Sequence, residues 1–185
     1  MTITHRDVPL EAAQVPLVEI EELEPVARFS LRAGTAEAAA ISVALGLELP
    51  ARIGDCARAG GRAAVCLGPD EWVVTTPEEA REDILAETAR IYPRAPHSLT
   101  DISDRERSFK VSGPEAITLL SVGCPRDLEK LEPGRAVRTV FDGVQAVLWR
   151  DGPDAFRLDV WRSFAPHVHA LLEIGQAEIA AGRPA

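Results

Sequence analysis

The chain has 185 residues, 46% hydrophobic and 26% charged, proportions of a globular protein whose core needs no disulfide or metal staple. A formal net charge of −9 leaves no basic surface for phosphates and argues against a nucleic-acid partner. No run approaches the roughly 20 apolar residues of a membrane span, the opening MTITHRDVPLEAAQ lacks the apolar stretch of a secretory leader, and Cys56, Cys66 and Cys124 form no C-x-x-C pair, so a cytoplasmic protein with free thiols is expected.

VPLVEIEEL (15–23) alternates apolar and polar residues and predicts a strand or extended arm before Pro25, with 1–24 read as an N-terminal arm or edge strand. VARFSLRA (26–33) alternates again and predicts a strand. Thr35 is placed to cap a helix over 36–45 that Gly46 ends. GDCARAGGRA reads as a loop or hairpin, and RAAVCLGPDEWVVTT as a hairpin turning at Gly68-Pro69-Asp70. TPEEAREDILAETARIYP carries a helix start signal: Thr76 as N-cap, Pro77 at the first helical position and Glu79 completing a capping box, with Pro93 as the stop.

The second half opens with two short strands, SLTDIS and RSFKVS. Gly113-Pro114-Glu115 starts a helix ended by Gly123, and CPRDLEKLEPG reads as a loop. AVRTVFDGVQAVLWRDGPDAFRLDVW predicts three strands, turning at Asp142-Gly143 and at Asp151-Gly152-Pro153-Asp154. Ser163 is placed to cap a last helix with the apolar stripe Phe164, Val168, Leu171, Leu172 and Ile179.

These halves repeat. FSLRAGTAEAA matches FKVSGPEAI, and the turn at Gly68 matches the turn at Gly152. Residues 25–97 and 98–185 therefore read as two β-α-β-β-α halves, an α+β fold of antiparallel-rich sheets with packed helices.

The inventory of reactive groups is thin. His167 and His169 stand two apart on a predicted helix, a spacing that points them to different sides, and His5 and His97 are isolated. Cys124 follows a helix C-terminus, which gives a thiolate no support. Neither a phosphate loop nor a G-x-S-x-G elbow occurs. No catalytic, cofactor-binding or metal-binding residue is expected. What stands out is Trp149-Arg150 and Trp161-Arg162 on one hairpin. Tryptophan and arginine are enriched at protein interfaces, so all four are candidate interface residues. The other reading makes the tryptophans core and the arginines its solvent edge.

SLTDISDRERSFKVSGPEAITLLSVGCPRDL (98–128), LGPDEWVV (67–74) and VLWRDGPDAFRLDVWRSFAPHVHALL (147–172) together resemble the gamma subunit of heterotetrameric sarcosine oxidase, from about Leu17 to Ile174. That family in turn resembles the folate-binding fold of the aminomethyltransferases of glycine cleavage. DISD…VSGPEA (101–116) looks like the superfamily element D-x-S-H…V-S-G-P-D-A, with Asp104 where histidine is usual. VQAVLWRDGPDAFRLDVW (144–161) looks like the hairpin that carries an aspartate and an asparagine for folate chemistry. Here Gln145 and Ala146 stand at the acidic pair, and Trp161 falls near the asparagine.

The resemblance implies the fold without its catalytic residues: a noncatalytic structural subunit with no cofactor of its own. The complex it implies demethylates sarcosine oxidatively to glycine, yields hydrogen peroxide and passes a one-carbon unit to tetrahydrofolate. Its implied partners are an alpha subunit with NAD and a folate site, a beta subunit with FAD and FMN, and a delta subunit with zinc. The alternative is a stand-alone folate-binding module or an aminomethyltransferase-like enzyme, and the enzyme would need an acid at 145 or 146.

Overall fold

In the computed structural model, which describes residues 16–182, all strand pairing is antiparallel and builds two five-stranded sheets. The first sheet contains β2 (Ala27–Ala33), β3 (Cys56–Ala59), β4 (Arg62–Gly68), β5 (Glu71–Thr76) and β6 (His97–Asp101), in the order β3-β4-β5-β2-β6. Its helices are α1 (Ala38–Leu45) and α2 (Arg81–Ile91). The second sheet contains β1 (Glu19–Glu22), β7 (Glu106–Ser112), β8 (Arg135–Phe141), β9 (Val144–Gly152) and β10 (Ala155–Trp161), in the order β1-β7-β10-β9-β8. Its helices are α3 (Ala116–Ser121) and α4 (Ala165–Ala181).

Each half lends its leading strand to the other. β1 precedes β2 in sequence but pairs with β7, Ile20 opposite Val111. β6, read from the sequence as opening the second half, pairs with β2, Leu99 opposite Leu31. The exchange covers an edge of each sheet that would otherwise show unpaired N–H and C=O groups. It also ties the halves together by backbone hydrogen bonds, which surface packing alone does not do.

Period-two alternation gives each strand two faces. On the outer face of the first sheet, Phe29, Leu31, Trp72 and Val74 pack against Ile41, Leu45 and Ile84 of its helices. On the outer face of the second, Phe109, Leu148, Phe156 and Leu158 pack against Leu119, Leu120, Val168 and Leu172. Phe29 and Phe109, matched by the repeat, take equivalent places. The inner faces meet in a thinner apolar layer of Ala63, Val65, Val73, Ala136, Val147 and Trp149. The layers therefore run helices, sheet, sheet, helices.

Asp142-Gly143 turns β8 into β9 with φ 47° and 77°, as a two-residue hairpin loop requires, and Gly60-Gly61 (φ 55° and 79°) does the same for β3 and β4. Strands β3 and β8 extend each half beyond β-α-β-β-α. Three expected caps are corrected. Thr35 lies in a turn ahead of α1, whose N-cap is Glu37; Gly46 does end that helix, at φ 59°. Thr76 is held in the β5–β2 ladder opposite Ala27, so Pro77 stays extended at ψ 144° and a short 3₁₀ turn, Glu78–Ala80, precedes α2. Ser163 makes no cap either: Phe164 holds the N-cap position of α4 and is 45% exposed, outside the buried stripe of that helix.

Candidate functional site

The inner faces carry charge as well as apolar side chains. Arg28 sits between Ala27 and Phe29 on β2, so alternation turns it away from the helices and into the space between the sheets, where it is 2% exposed. Asp159 on β10 faces it and is equally buried. Arg28 Nη2 donates to Ser108 Oγ at 2.9 Å and lies 3.4 Å from Asp159 Oδ1, while Nη1 lies 3.1 Å from Glu106 Oε2. Asp159 Oδ1 accepts from Ser108 Oγ at 2.7 Å, and Oδ2 accepts from Trp149 Nε1 at 2.8 Å. Arg157 completes the cluster: its Nε is 3.2 Å from Asp159 Oδ1, and its guanidinium lies 4.0 Å from the centre of the Trp149 ring. The Nε approach is within ion-pair range but out of hydrogen-bond alignment. Burial shifts the Arg157 pKa downward against the attraction of Asp159.

A second network latches the end of β6 and the turn after it onto β2. Asp101 Oδ1 accepts from the Ser103 backbone N–H at 2.9 Å and from Ser103 Oγ at 2.6 Å, and Oδ2 accepts from Arg81 Nε at 2.6 Å. Ser103 Oγ in turn accepts from the Arg28 backbone N–H at 3.0 Å, and the Ile102 N–H donates to the Arg28 carbonyl at 2.8 Å. Burial opposes ionisation of Asp101, but the Ser103 and Arg81 hydrogen bonds outweigh it and hold the carboxyl below its ordinary pKa. Asp101 and Ser103 are the first and third residues of the D-x-S element; here they form a structural clasp. Asp104, at the histidine position, is exposed.

The hairpin's four candidate interface residues separate. Trp149 is 0% exposed between the sheets and has no surface to offer a partner, which corrects that expectation for it. Arg150 is turned inward by carbonyls: Nη1 donates to Leu128 at 3.1 Å and to Leu131 at 2.7 Å, and Nη2 donates to Pro153 at 2.6 Å. It holds the 128–131 loop and the β9–β10 turn, so its donors are spent within the chain. Trp161 is 42% exposed, and Arg162 and Phe164 beside it are also exposed. Gln145 is exposed, whereas Ala146 is 2% exposed inside the core beneath α3 and α4.

His167 and His169 both contact neighbouring elements. His167 Nε2 is 2.8 Å from Asp142 Oδ2 and joins α4 to the β8–β9 turn; His169 stacks on Phe109 with ring centres 5.4 Å apart. His5 lies outside the described residues. Among the described residues no group of three or more histidine, cysteine, aspartate or glutamate side chains is placed to hold a metal, and no helix is long and apolar enough to cross a membrane. Sequence reading missed Arg28, Arg157 and Asp159 because a charged residue alternating with apolar ones looks like the wet side of a strand. The signal was present: ARF in β2 and FRLD in β10 both carry it, and both strands belong to halves that need somewhere to pack.

The model of the family described as "Sarcosine oxidase, gamma subunit family" matches residues 31–178. The chain belongs to that family. Sarcosine oxidase subunit gamma from Corynebacterium sp. (strain U-96) is 31% identical over 189 residues, covering 95% of this chain and 91% of the relative. The Arthrobacter sp. protein of the same description is 32% identical over 84% of this chain and 79% of its own length. A chain in the solved structure of heterotetrameric sarcosine oxidase from Corynebacterium sp. U-96 superposes with a TM-score of 0.82 at 27% identity, covering 95% and 91% of the two chains. The aminomethyltransferase T of the glycine cleavage system from Bartonella henselae superposes with a TM-score of 0.65 at 14% identity, over 84% of this chain and 45% of that one. This chain thus shares the fold of the part of the aminomethyltransferase that it covers.

Proposed function

We propose that this chain is a noncatalytic structural subunit of a heterotetrameric sarcosine oxidase, assembling with alpha, beta and delta subunits. The observation that carries this reading is the superposition of nearly the whole chain on a chain of such a complex, at a TM-score of 0.82. The chemistry then belongs to the other subunits: oxidative demethylation of sarcosine to glycine with release of hydrogen peroxide, and transfer of the one-carbon unit to tetrahydrofolate. FAD, FMN, NAD, zinc and the folate site are assigned to those partners, and the location to the cytoplasm, consistent with three free cysteines.

Two features of this chain support a supporting role. Where the aminomethyltransferase-like hairpin carries its acid, Ala146 fills core and Gln145 offers an amide, which cannot act as a carboxylate base. At the junction of β10 and α4, Trp161, Arg162 and Phe164 are solvent-facing in the free chain, and they form the proposed docking face for a partner subunit.

Purification of the tagged chain from its native host, with the bound chains identified, tests the assembly; recovery of the chain alone would sink it. Within the complex, Gln145→Ala should leave sarcosine turnover within about twofold. A collapse of turnover with normal assembly would refute the noncatalytic reading. Trp161→Ala should lower recovery of the complex, and full recovery would remove this face from the proposal.

A further inference from the structure

Four strands stand at sheet edges. β1, β3 and β6 are short, at four, four and five residues, whereas β8 has seven. A long open edge is a template for another strand, because its N–H and C=O groups lack partners.

Alternation shows which groups of β8 are open. The two-residue turn closes with Phe141 opposite Val144, so Phe141, Thr139 and Val137 hydrogen-bond to β9, and Ala136, Arg138 and Val140 turn their backbone groups away from it. The ends of this outer edge are taken. The Ala136 N–H donates to the Gly54 carbonyl at 2.9 Å, and the Asp142 N–H donates to the Gly123 carbonyl at 2.8 Å. Between them lie Arg138 and Val140, both exposed; among the described residues their N–H and C=O groups have no partner. A neighbouring strand is begun and abandoned there. Asp55 bridges to Arg135, but its own N–H bonds the Arg52 carbonyl and the chain turns off. The Arg138 side chain does not guard the gap, since it reaches across to Glu71 of the first sheet.

We propose that a short extended segment of a partner subunit adds to β8 as a further strand. Its carbonyls accept from the Arg138 and Val140 N–H groups, and its N–H groups donate to their carbonyls. Only an extended polypeptide matches this pattern of alternating donors and acceptors. A second copy of this chain is a poor match. Its own edge is recessed between the same two segments, at Gly54 and Gly123, so two notches cannot interlock. The ionic side chains of β8 are Arg135 and Arg138, so a copy would also bring like charges together. A cleft of about 470 Å³ beside the edge gives the segment's side chains a place: apolar ones against Ile53, Leu67 and Leu131, and an acidic one against Arg126. Lys130, Arg135 and Arg138 in that cleft are held by Asp127, Asp55 and Glu71; Arg126 has no ion pair among the described residues. The cleft's other carboxylate, Glu132, is exposed. The occupant rests on the subunit reading, and its place rests on this chain's own hydrogen bonds.

Hydrogen exchange of the full chain, alone and in the complex purified from the native host, tests this. The Arg138 and Val140 amides should exchange freely in the isolated chain and at least about tenfold more slowly in the complex. The Val137 and Thr139 amides, bonded to β9, should be protected in both states. Val140→Pro removes an outward N–H and no ladder bond, so the isolated variant should keep its Tm within about 4 °C. Recovery of the complex should nevertheless fall about fivefold or more. Val140→Thr keeps the N–H and should assemble normally. If the proline variant fails to fold, the exchange comparison decides. Equal exchange of Arg138 and Val140 in both states, or protection already present in the isolated chain, would overturn the proposal. So would full recovery with Val140→Pro, or an equal loss with Val140→Thr, which would assign the effect to the side chain. A complex that forms with these amides unprotected removes only the added strand; no complex at all sinks the subunit reading with it.

Discussion

Asp159 answers more donors than any other carboxylate in the inter-sheet layer: Ser108 and Trp149 hydrogen-bond to it, and Arg28 and Arg157 share its charge. Removing one member of such a buried set leaves opposite charges uncompensated, which is far costlier than the net worth of the set. Asp159→Ala should therefore destabilise the isolated chain by about 3–5 kcal/mol in urea unfolding. A loss below about 1 kcal/mol would mean that water or rearrangement replaces it. Trp161→Ala provides the contrast on the same strand. With 42% of the residue exposed, its stability cost should stay below about 1 kcal/mol, so any loss of complex from that variant reports assembly. Cys56 illustrates a third consequence of burial. Desolvation pushes its thiol up to about 11 despite the nearby Arg58 and Arg157. At pH 8 it should react with iodoacetamide at least about tenfold more slowly than a free cysteine, and equal rates would show the thiol to be accessible and ionisable.

Elements were legible where their determinants are local. Asp142-Gly143 and Gly68-Pro69-Asp70 turn where the residues say they should, because φ preference is carried by the turn residues themselves. Thr76 shows the limit. Its capping box is intact in sequence, but the residue is claimed by a strand ladder that closes with Ala27, far away in the chain. The exchange of β1 and β6 was illegible for the same reason. Alternation reports which face of a strand is buried but not which strand lies beside it. Nor could it tell that the charged face of β10 meets a second sheet and not solvent. The D-x-S element marks one end of this exchange. Ser103 Oγ satisfies the Arg28 N–H at the start of β2 and is itself fixed by Asp101. Ser103→Ala would leave that N–H without its acceptor, and stability should fall by about 1–2 kcal/mol. Faster hydrogen exchange of the Arg28 amide should accompany it, and an unchanged exchange rate there would dismiss the clasp.

At the scale of the molecule, the two halves meet through a thin apolar layer rimmed by ion pairs that cross between the sheets: Arg58 with Asp151, Arg135 with Asp55, and Arg138 with Glu71. The rim is where the union of the halves becomes sensitive to pH. The hydrogen bond from Arg138, outweighing burial and aided by the charges of Arg138 and Arg32, holds the Glu71 carboxyl below its ordinary range. A depressed carboxyl means that the unfolded chain binds the proton more readily than the folded one, so stability rises with pH across the interval between the two values. The contribution is complete above the ordinary glutamate range and is lost as pH falls through the lower, folded value. Arg138 is 40% exposed, so solvent screens the pair and its worth is about 1 kcal/mol or less. Glu71→Gln removes the titrating group and keeps the shape. Urea midpoints of both proteins between pH 7 and pH 3 should show the wild type more stable at neutral pH and the gap closing in acid. Raising the salt to 1 M at pH 7 should also narrow it, since screening acts on the exposed partner. A constant gap at every pH would assign the difference to packing and remove Glu71 from the acid response.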